Sequence, residues 1–276
     1  MSVVFADSSC DISKQFLKSH GVELIDLQLN INGKNTLYKA DKFDFAEYYK
    51  QLNNVVEINN FESTIKASLT EAVNTFQDVV VITPHKEFSQ FYNIAIKLKL
   101  QFEMENCESK IYVIDSGQIS LGYGAIVYEA GILNSTGISS NELVKKLNKL
   151  VNEYETIIVP SNINFNPINK FVYGSKLGIK PIINLKHEKF ELISNVKGKA
   201  KIFNEIITRI NQNAFNAADH PIAVVFGKDN IIDAEKIVNK LSESFETKVW
   251  LANYSPLIDN ILGDGALLIS YHKRND

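Results

Sequence analysis

Cysteine is nearly missing from this 276-residue chain: there are two, Cys10 and Cys107, and they stand far apart. Such a pair argues against the disulfide framework of a small secreted scaffold and for a reducing compartment. Nothing around either thiol has metal-ligand spacing, and His20, His187, His220 and His272 lie in helix-end, turn or tail contexts, so no metal is expected. A charge excess of one sign is missing too. Lys and Arg total 29 against 32 Asp and Glu, a net of -3, so no global positive field recruits nucleic acid or anionic lipid. No uninterrupted apolar run approaches the ~20 residues of a membrane-spanning helix. The start of the chain lacks the basic region and apolar core of a signal peptide, which points to the cytoplasm. Neither a Walker-type loop nor a dinucleotide glycine fingerprint occurs, and no cofactor is expected.

What is present is an ordinary globular composition, 45% hydrophobic and 22% charged, over a length that suits two lobes better than one. Up to about residue 154, buried-strand patterns alternate with helical ones. Residues 3–6 read as a strand and residues 11–20 as a helix closed by Gly21. Residues 22–31 alternate apolar and polar like one half-exposed strand, and Asn32-Gly33 supplies turn chemistry after it. Phe45, Tyr48, Tyr49 and Leu52 follow at helical spacing. Residues 79–83 and 111–114 are continuous apolar strands of the kind a parallel sheet covers on both faces. Residues 91–102, 121–133 and 140–150 read as helices, the second so uniformly apolar that it belongs inside the lobe. After the strand at 156–159, Asn162, Asn164, Asn166, Pro167 and Asn169 form a breaker-rich passage. It is the expected boundary between an N-terminal α/β lobe, residues 1–160, and a C-terminal α/β lobe, residues 161–276. Beyond it, residues 179–185 and 190–193 flank Lys186-His187-Glu188-Lys189 as a hairpin, with helices at 200–213 and 231–244 and strands at 222–226 and 248–252.

The most informative segment is Val3-Val4-Phe5-Ala6-Asp7-Ser8-Ser9-Cys10-Asp11, where an apolar run stops at a carboxylate and two hydroxyls. Val113-Ile114-Asp115-Ser116-Gly117, followed by Ser120, repeats the order. Open α/β sheets bind ligands at their carboxyl edge, so two such junctions suggest one shared crevice. Asp7 and Asp115 read in two ways, as a carboxylate pair for acid/base work or as caps that tie down their own loops. Ser8, Ser9, Ser63, Thr64, Ser89, Ser116 and Ser120 are hydroxyls on expected crevice loops, each open to a capping or a ligand role. His85 follows a strand and Pro84, as a donor toward an anion or as a solvent-facing loop residue. Phe61, Phe88, Phe91 and Tyr123 line an apolar tunnel or belong to the plain core.

Asp7-Ser8-Ser9-Cys10-Asp11-Ile12 resembles the Asp-Ser-Thr-Ala-Asp-Leu signature of the DegV family, two-lobed α/β proteins that bind fatty acids. Val113-Ile114-Asp115-Ser116 with Ser120-Leu121-Gly122-Tyr123-Gly124 resembles its second signature. Gly174-Ser175-Lys176-Leu177-Gly178-Ile179-Lys180-Pro181-Ile182, the Lys197-Gly198-Lys199-Ala200-Lys201 stretch and the terminal Gly263-Asp264-Gly265-Ala266-Leu267 are similar to later family segments, in the family's order. The resemblance implies a DegV-like α/β fold: an N-terminal, mostly parallel sheet with flanking helices plus a second α/β lobe. It also implies a long-chain fatty acid as ligand, buried between the lobes, and a separate fatty-acid kinase subunit that receives the carboxylate and makes an acyl phosphate. The chain itself is then a lipid-binding protein and not an enzyme. On that basis Ser63, Thr64 and Ser89 hold the carboxylate with Ser116 or His85 assisting, and the tail runs past Phe61, Phe88 and Tyr123. Lys197, Lys199 and Lys201 read as a docking cluster or as a solvated helix start.

Departures fall on the ligand loops. Phe61-Glu62-Ser63-Thr64-Ile65 stands for the family's Thr-Ser-Gln-Pro-Ser loop, and residues 85–91 for its Ser-Ser-x-Leu-Ser-Gly-Thr loop. Ile163-Asn164-Phe165-Asn166 replaces Gly-Gly-Arg-Ile, and Ile261 replaces a His before the terminal glycine. Two further readings stay open, an interaction module that has lost the ancestral ligand and a serine hydrolase acting on acyl esters. Against the latter, no Gly-x-Ser-x-Gly elbow is present.

Overall fold

The fold is that of a computed structural model describing residues 2–51, 54–59, 61–75, 78–105, 108–161, 178–187, 189–228 and 230–273. Cys107, Glu188, the asparagine-rich passage, Ile163–Asn166 and the Gly174–Leu177 stretch lie outside the described residues.

The chain opens with β1 (Ser2–Asp7), a 3-10 turn at Ser8–Cys10, α1 (Lys14–Lys18) and β2 (Val22–Ile25). The alternating run expected as one strand breaks at Asp26, whose carboxylate takes the Lys14 ammonium at 2.9 Å. Past the break lies β3 (Leu27–Ile31), which leaves the sheet of β2 and pairs with β4 (Lys34–Tyr38) through Asn32 and Gly33. Both turn residues have positive φ, 51° and 86°, the two-residue geometry whose twist matches a hairpin. After α2 (Phe45–Tyr48), β5 (Val56–Asn59) completes a three-stranded antiparallel sheet in the order β4-β3-β5.

Next comes α3 (Phe61–Thr75), and here the sequence expectation is corrected. Residues 61–65 form the first turns of this helix and not a loop, because Phe61, Ile65, Leu69 and Ala72 recur at helical spacing and are all buried. Then follow β6 (Asp78–Thr83), α4 (Phe91–Met104), β7 (Lys110–Asp115), α5 (Ser120–Ser135) and α6 (Ser140–Leu150). The first sheet has the order β2-β1-β6-β7 with every pair parallel. Val79, Val80, Val81 and Ile82 in β6 are fully buried, as the continuous apolar run predicts.

The second sheet has six strands in the order β10-β9-β8-β13-β11-β12. They are β8 (Tyr154–Val159), β9 (Ile179–Lys186), β10 (Lys189–Lys197), β11 (Ala223–Phe226), β12 (Trp250–Asn253) and β13 (Leu267–His272). Only β11 and β12 run parallel. The expected division at residue 160 puts β8 with the first lobe, whereas its hydrogen bonds run to β9 and β13. Its helices are α7 (Lys199–Asn213), α8 (Ile231–Phe245) and the short α9 (Pro256–Leu262).

Between the two sheets runs α5, with eleven of its sixteen residues buried. Glycines let it approach both. A Cβ at Gly122 would overlap Ser270 Oγ and Thr156 Oγ1 of the second sheet, and one at Gly124 would overlap the Cys10 carbonyl of the first lobe. Below the helix start, Thr156 Oγ1 donates to Gln118 Oε1 at 2.6 Å and meets Ser270 Oγ at 2.6 Å. This buried polar seam is internally satisfied, which fixes its geometry.

Candidate functional site

In a parallel sheet ordered β2-β1-β6-β7, the chain reverses its direction of growth between β1 and β6. That switch point leaves a crevice at the carboxyl ends of the two strands. A cavity of about 80 Å³ lies there. Asp7 at the end of β1 and Ser9 of the following turn wall it on one side, and Pro84, Phe88 and Ser89 of the turn after β6 on another. Ile119 and Ser120 enter at the head of α5, and Leu27 and Ile58 come from the small sheet. The second lobe closes it with Leu257, Ile258, Asn260 and Ile261 of α9. Ile261, the position where the resemblance leads one to expect His, therefore sits in this wall.

Asp7 is wholly buried. Its Oδ1 accepts the Ser9 N–H at 2.7 Å and the Ser9 hydroxyl, while Oδ2 is buried with no hydrogen-bond partner. Burial pushes its pKa up to about 6, against the opposing pull of the Ser9 donors. The Tyr123 hydroxyl accepts the Asp7 N–H at 3.0 Å and donates to the Ile82 carbonyl at 2.7 Å, so one phenol from α5 pins the ends of β1 and β6. Asp11, at positive φ (56°), accepts from Tyr38 Oη at 2.7 Å, from the Ser120 hydroxyl and from the Ser255 N–H at 3.3 Å. It thereby joins the small sheet, α5 and the second lobe, and burial lifts its pKa to about 7.

Asp115 repeats the first half of this geometry. Its Oδ1 accepts the Gly117 N–H at 2.9 Å and its Oδ2 is buried without a partner. Its pKa is raised by burial, opposed by the Gly117 N–H and by the charges of His187 and Lys86. The His187 ring meets the Asp115 carbonyl at 3.0 Å, and its backbone packs so closely on Gly117 that a Cβ there would overlap it. His85 is nearly inaccessible. Its Nδ1 accepts the Glu87 N–H at 3.1 Å, which puts the ring proton on Nε2, and Nε2 is buried with no partner. Burial, reinforced by His187 and Lys86, lowers its pKa to about 4, so the ring is neutral.

Of the residues expected at the site, Phe88 and Ser89 wall the cavity, while Phe61, Ser63, Thr64, His85, Ser116 and Tyr123 are not among its wall residues. Phe61 packs on Phe91 with ring centroids 5.4 Å apart. Ser63 is exposed and Thr64 half-buried on the first turn of α3. Ser116 is buried and bonded to Gln118, and Ser89 Oγ accepts the Phe91 N–H at 3.1 Å as α4 begins. Phe88 meets the His85 ring edge to face at 5.8 Å and the Phe190 ring at a tilt at 5.6 Å. Lys197, Lys199 and Lys201 are all exposed, and Lys199 pairs with Asp233 at 2.9 Å. Sequence reasoning placed Asp11 in the opening signature without giving it a role, and it passed over Tyr38, Ser255 and α9. Only Ser255-Pro256 carried a local signal, an N-cap followed by proline at the first helical position. No group of three potential metal ligands occurs among the described residues, and none of their helices is long and apolar enough to cross a membrane.

Comparison with known proteins places this geometry in context. The model of the DegV family, described as uncharacterised proteins, matches residues 1–274. A DegV domain-containing protein of Caldanaerobacter subterraneus is 23% identical over 266 residues, covering 91% of this chain and 89% of its own length. A DegV-family protein from Ruminococcus gnavus, refined with vaccenic acid, superimposes with a TM-score of 0.80 at 18% identity, covering 98% of each chain. A stearic acid-binding protein from Eubacterium ventriosum reaches a TM-score of 0.78 at 20% identity, covering 99% of this chain and 98% of that one. At these identities the superpositions establish the shared fold.

Proposed function

The chain belongs to the DegV family, and on that premise we propose that it binds a long-chain fatty acid in the crevice between its lobes. The observation that carries the reading is the cavity at the β1/β6 switch point, walled by hydroxyls and aliphatic side chains and closed by α9. Solved relatives described with stearic and vaccenic acid support the ligand class. Ser89 is the first head-group donor, and the buried Nε2–H of His85 is a further one. Ser63, Thr64 and Ser116 meet the ligand as the walls part, and the tail packs on Phe88 and toward Phe61. Tyr123 acts at one remove, by fixing the backbone of Asp7. Parting is required, since about 80 Å³ is well below the ~300–1,000 Å³ of small-molecule sites. Affinity comes chiefly from the tail. At ~0.8 kcal/mol per buried methylene, a chain of ~16 carbons gains on the order of 10 kcal/mol before ordering costs.

We assign no catalysis to the chain: it lends a pocket, and a separate kinase subunit in the cytoplasm phosphorylates the presented carboxylate, docking by way of Lys197, Lys199 and Lys201. The small cavity favours one rival, an interaction module that has lost the ligand. Denaturing extraction of the purified protein, followed by mass spectrometry of the released lipid, separates the two. Near-stoichiometric fatty acid supports the carrier. An empty protein that also refuses added palmitate and oleate leaves the interaction module.

A further inference from the structure

The cavity wall presents an anion to an anion. Among the described residues Asp7 is the only ionisable one walling the cavity, and α9 and the turn after β6 bring no cation to it. The other titratable groups around Asp7 are the Asp11 carboxyl and Cys10 thiol of the same turn and the Tyr123 phenol of α5. None of these is positively charged. Both Ser9 donors are spent on Oδ1, so Oδ2 is left as a buried oxygen without a partner. Two ionised carboxylates brought together at such a place repel strongly, and nature's solution elsewhere is for a carboxyl pair to share one proton.

We propose that Asp7 makes ligand capture proton-linked: its protonated carboxyl donates the Oδ2–H to the carboxylate of the bound fatty acid. The proposal rests on the fatty-acid reading given above. The balance is simple. One carboxylate anion and one proton enter together, the only bond formed is the Asp7 O–H, and that proton returns to solvent when the ligand leaves. Oδ2 then gains the partner it lacks, through a charge-assisted hydrogen bond. Burial already holds the Asp7 carboxyl at about 6, so at pH 7 roughly a tenth of molecules carry the proton before any ligand arrives.

Palmitate binding to the full chain by isothermal titration calorimetry tests this. Between pH 6.5 and 8.5, where the free fatty acid is ionised, the Kd of the wild type should rise about tenfold per pH unit. Titrations at pH 7.5 in phosphate and in Tris, which differ in ionisation enthalpy, should report close to one proton taken up per ligand. Asp7→Asn carries an amide N–H at every pH, so its Kd should change less than threefold over the range. A wild-type Kd that is flat with pH, without proton uptake, overturns the proposal and leaves the fatty-acid reading standing. An equally steep profile in Asp7→Asn overturns it too, because another group then takes the proton. Should that variant fail to fold, the absence of proton uptake in the two-buffer comparison on the wild type still overturns the proposal. Palmitate that binds at no pH removes both readings together.

Discussion

After β1 and after β7 the chain turns in the same manner. An aspartate ends each strand, its Oδ1 accepts the N–H two residues on, and its Oδ2 is buried unpartnered. The two junctions then diverge. Around Asp7 pack α5, the small sheet and α9, and no cation is near among the described residues; around Asp115 the β9–β10 hairpin brings His187, and Lys86 lies close. The same local motif thus sits in an uncompensated electrostatic setting at one edge and a compensated one at the other. Neighbouring residues decide the turn, and distant ones decide the chemistry of the carboxyl.

The largest effect that would break this parallel is steric. At the second junction the residue two after the aspartate is Gly117, with φ +63° and the His187 backbone against it; at the first it is Ser9. Gly117→Ala should lose about 2–4 kcal/mol in urea denaturation, through left-handed strain and displacement of the hairpin. Ser9→Ala, which removes one hydroxyl donor, should lose only about 1 kcal/mol. Equal losses would mean that the hairpin does not hold the second junction.

Next in size is the pH dependence. Asp7 and Asp11 titrate near 6 and 7 when folded, against about 3.8 in a free chain, so the folded state binds their protons more tightly. Their stabilising contribution is complete below about pH 4 and is lost as pH rises through 6 and 7. His85, lowered to about 4 when folded, works in the opposite sense, gaining stability as pH rises toward 6.5. The net loss between pH 5 and 8 should be on the order of 2 kcal/mol in denaturant titrations. Asp11→Asn should flatten that slope far more than Asp115→Asn, and identical slopes in the two variants would erase the contrast between the junctions.

The smallest effect sharpens it. His187→Ala removes a ring contact to the Asp115 carbonyl and a nearby charge, and should destabilise by about 1 kcal/mol or less. In carbon-detected NMR titrations the Asp115 carboxyl should move upward while that of Asp7 stays where it was.

Much of the architecture was legible residue by residue. The uninterrupted valines of β6, the Asn32-Gly33 hairpin and the apolar circumference of α5 each leave a local pattern that only one structure satisfies. The capping reading of Asp7 and Asp115 was available for the same reason, since an aspartate turn closes over two residues. What escaped was long-range or short. Tyr38 reaches Asp11 across 27 positions and Ser255 across 244, and no periodicity reports such a pairing. The seven residues of α9 are too few to set up a stripe. At Phe61, aligning the segment to a ligand loop overrode a helical spacing that was plainly there.

Because α5 lies flush against a β-sheet on one flank and the opening turn on the other, it works as a keel for the two lobes. At Gly122 and Gly124 there is no room for one further carbon, so neither lobe can settle closer to it. Under the fatty-acid reading, the space a long guest needs lies beside that keel, toward the rim at α9. A bulky side chain introduced at Gly122 would then act as a wedge, propping the rim ajar and trading tightness of the closed form for ease of entry.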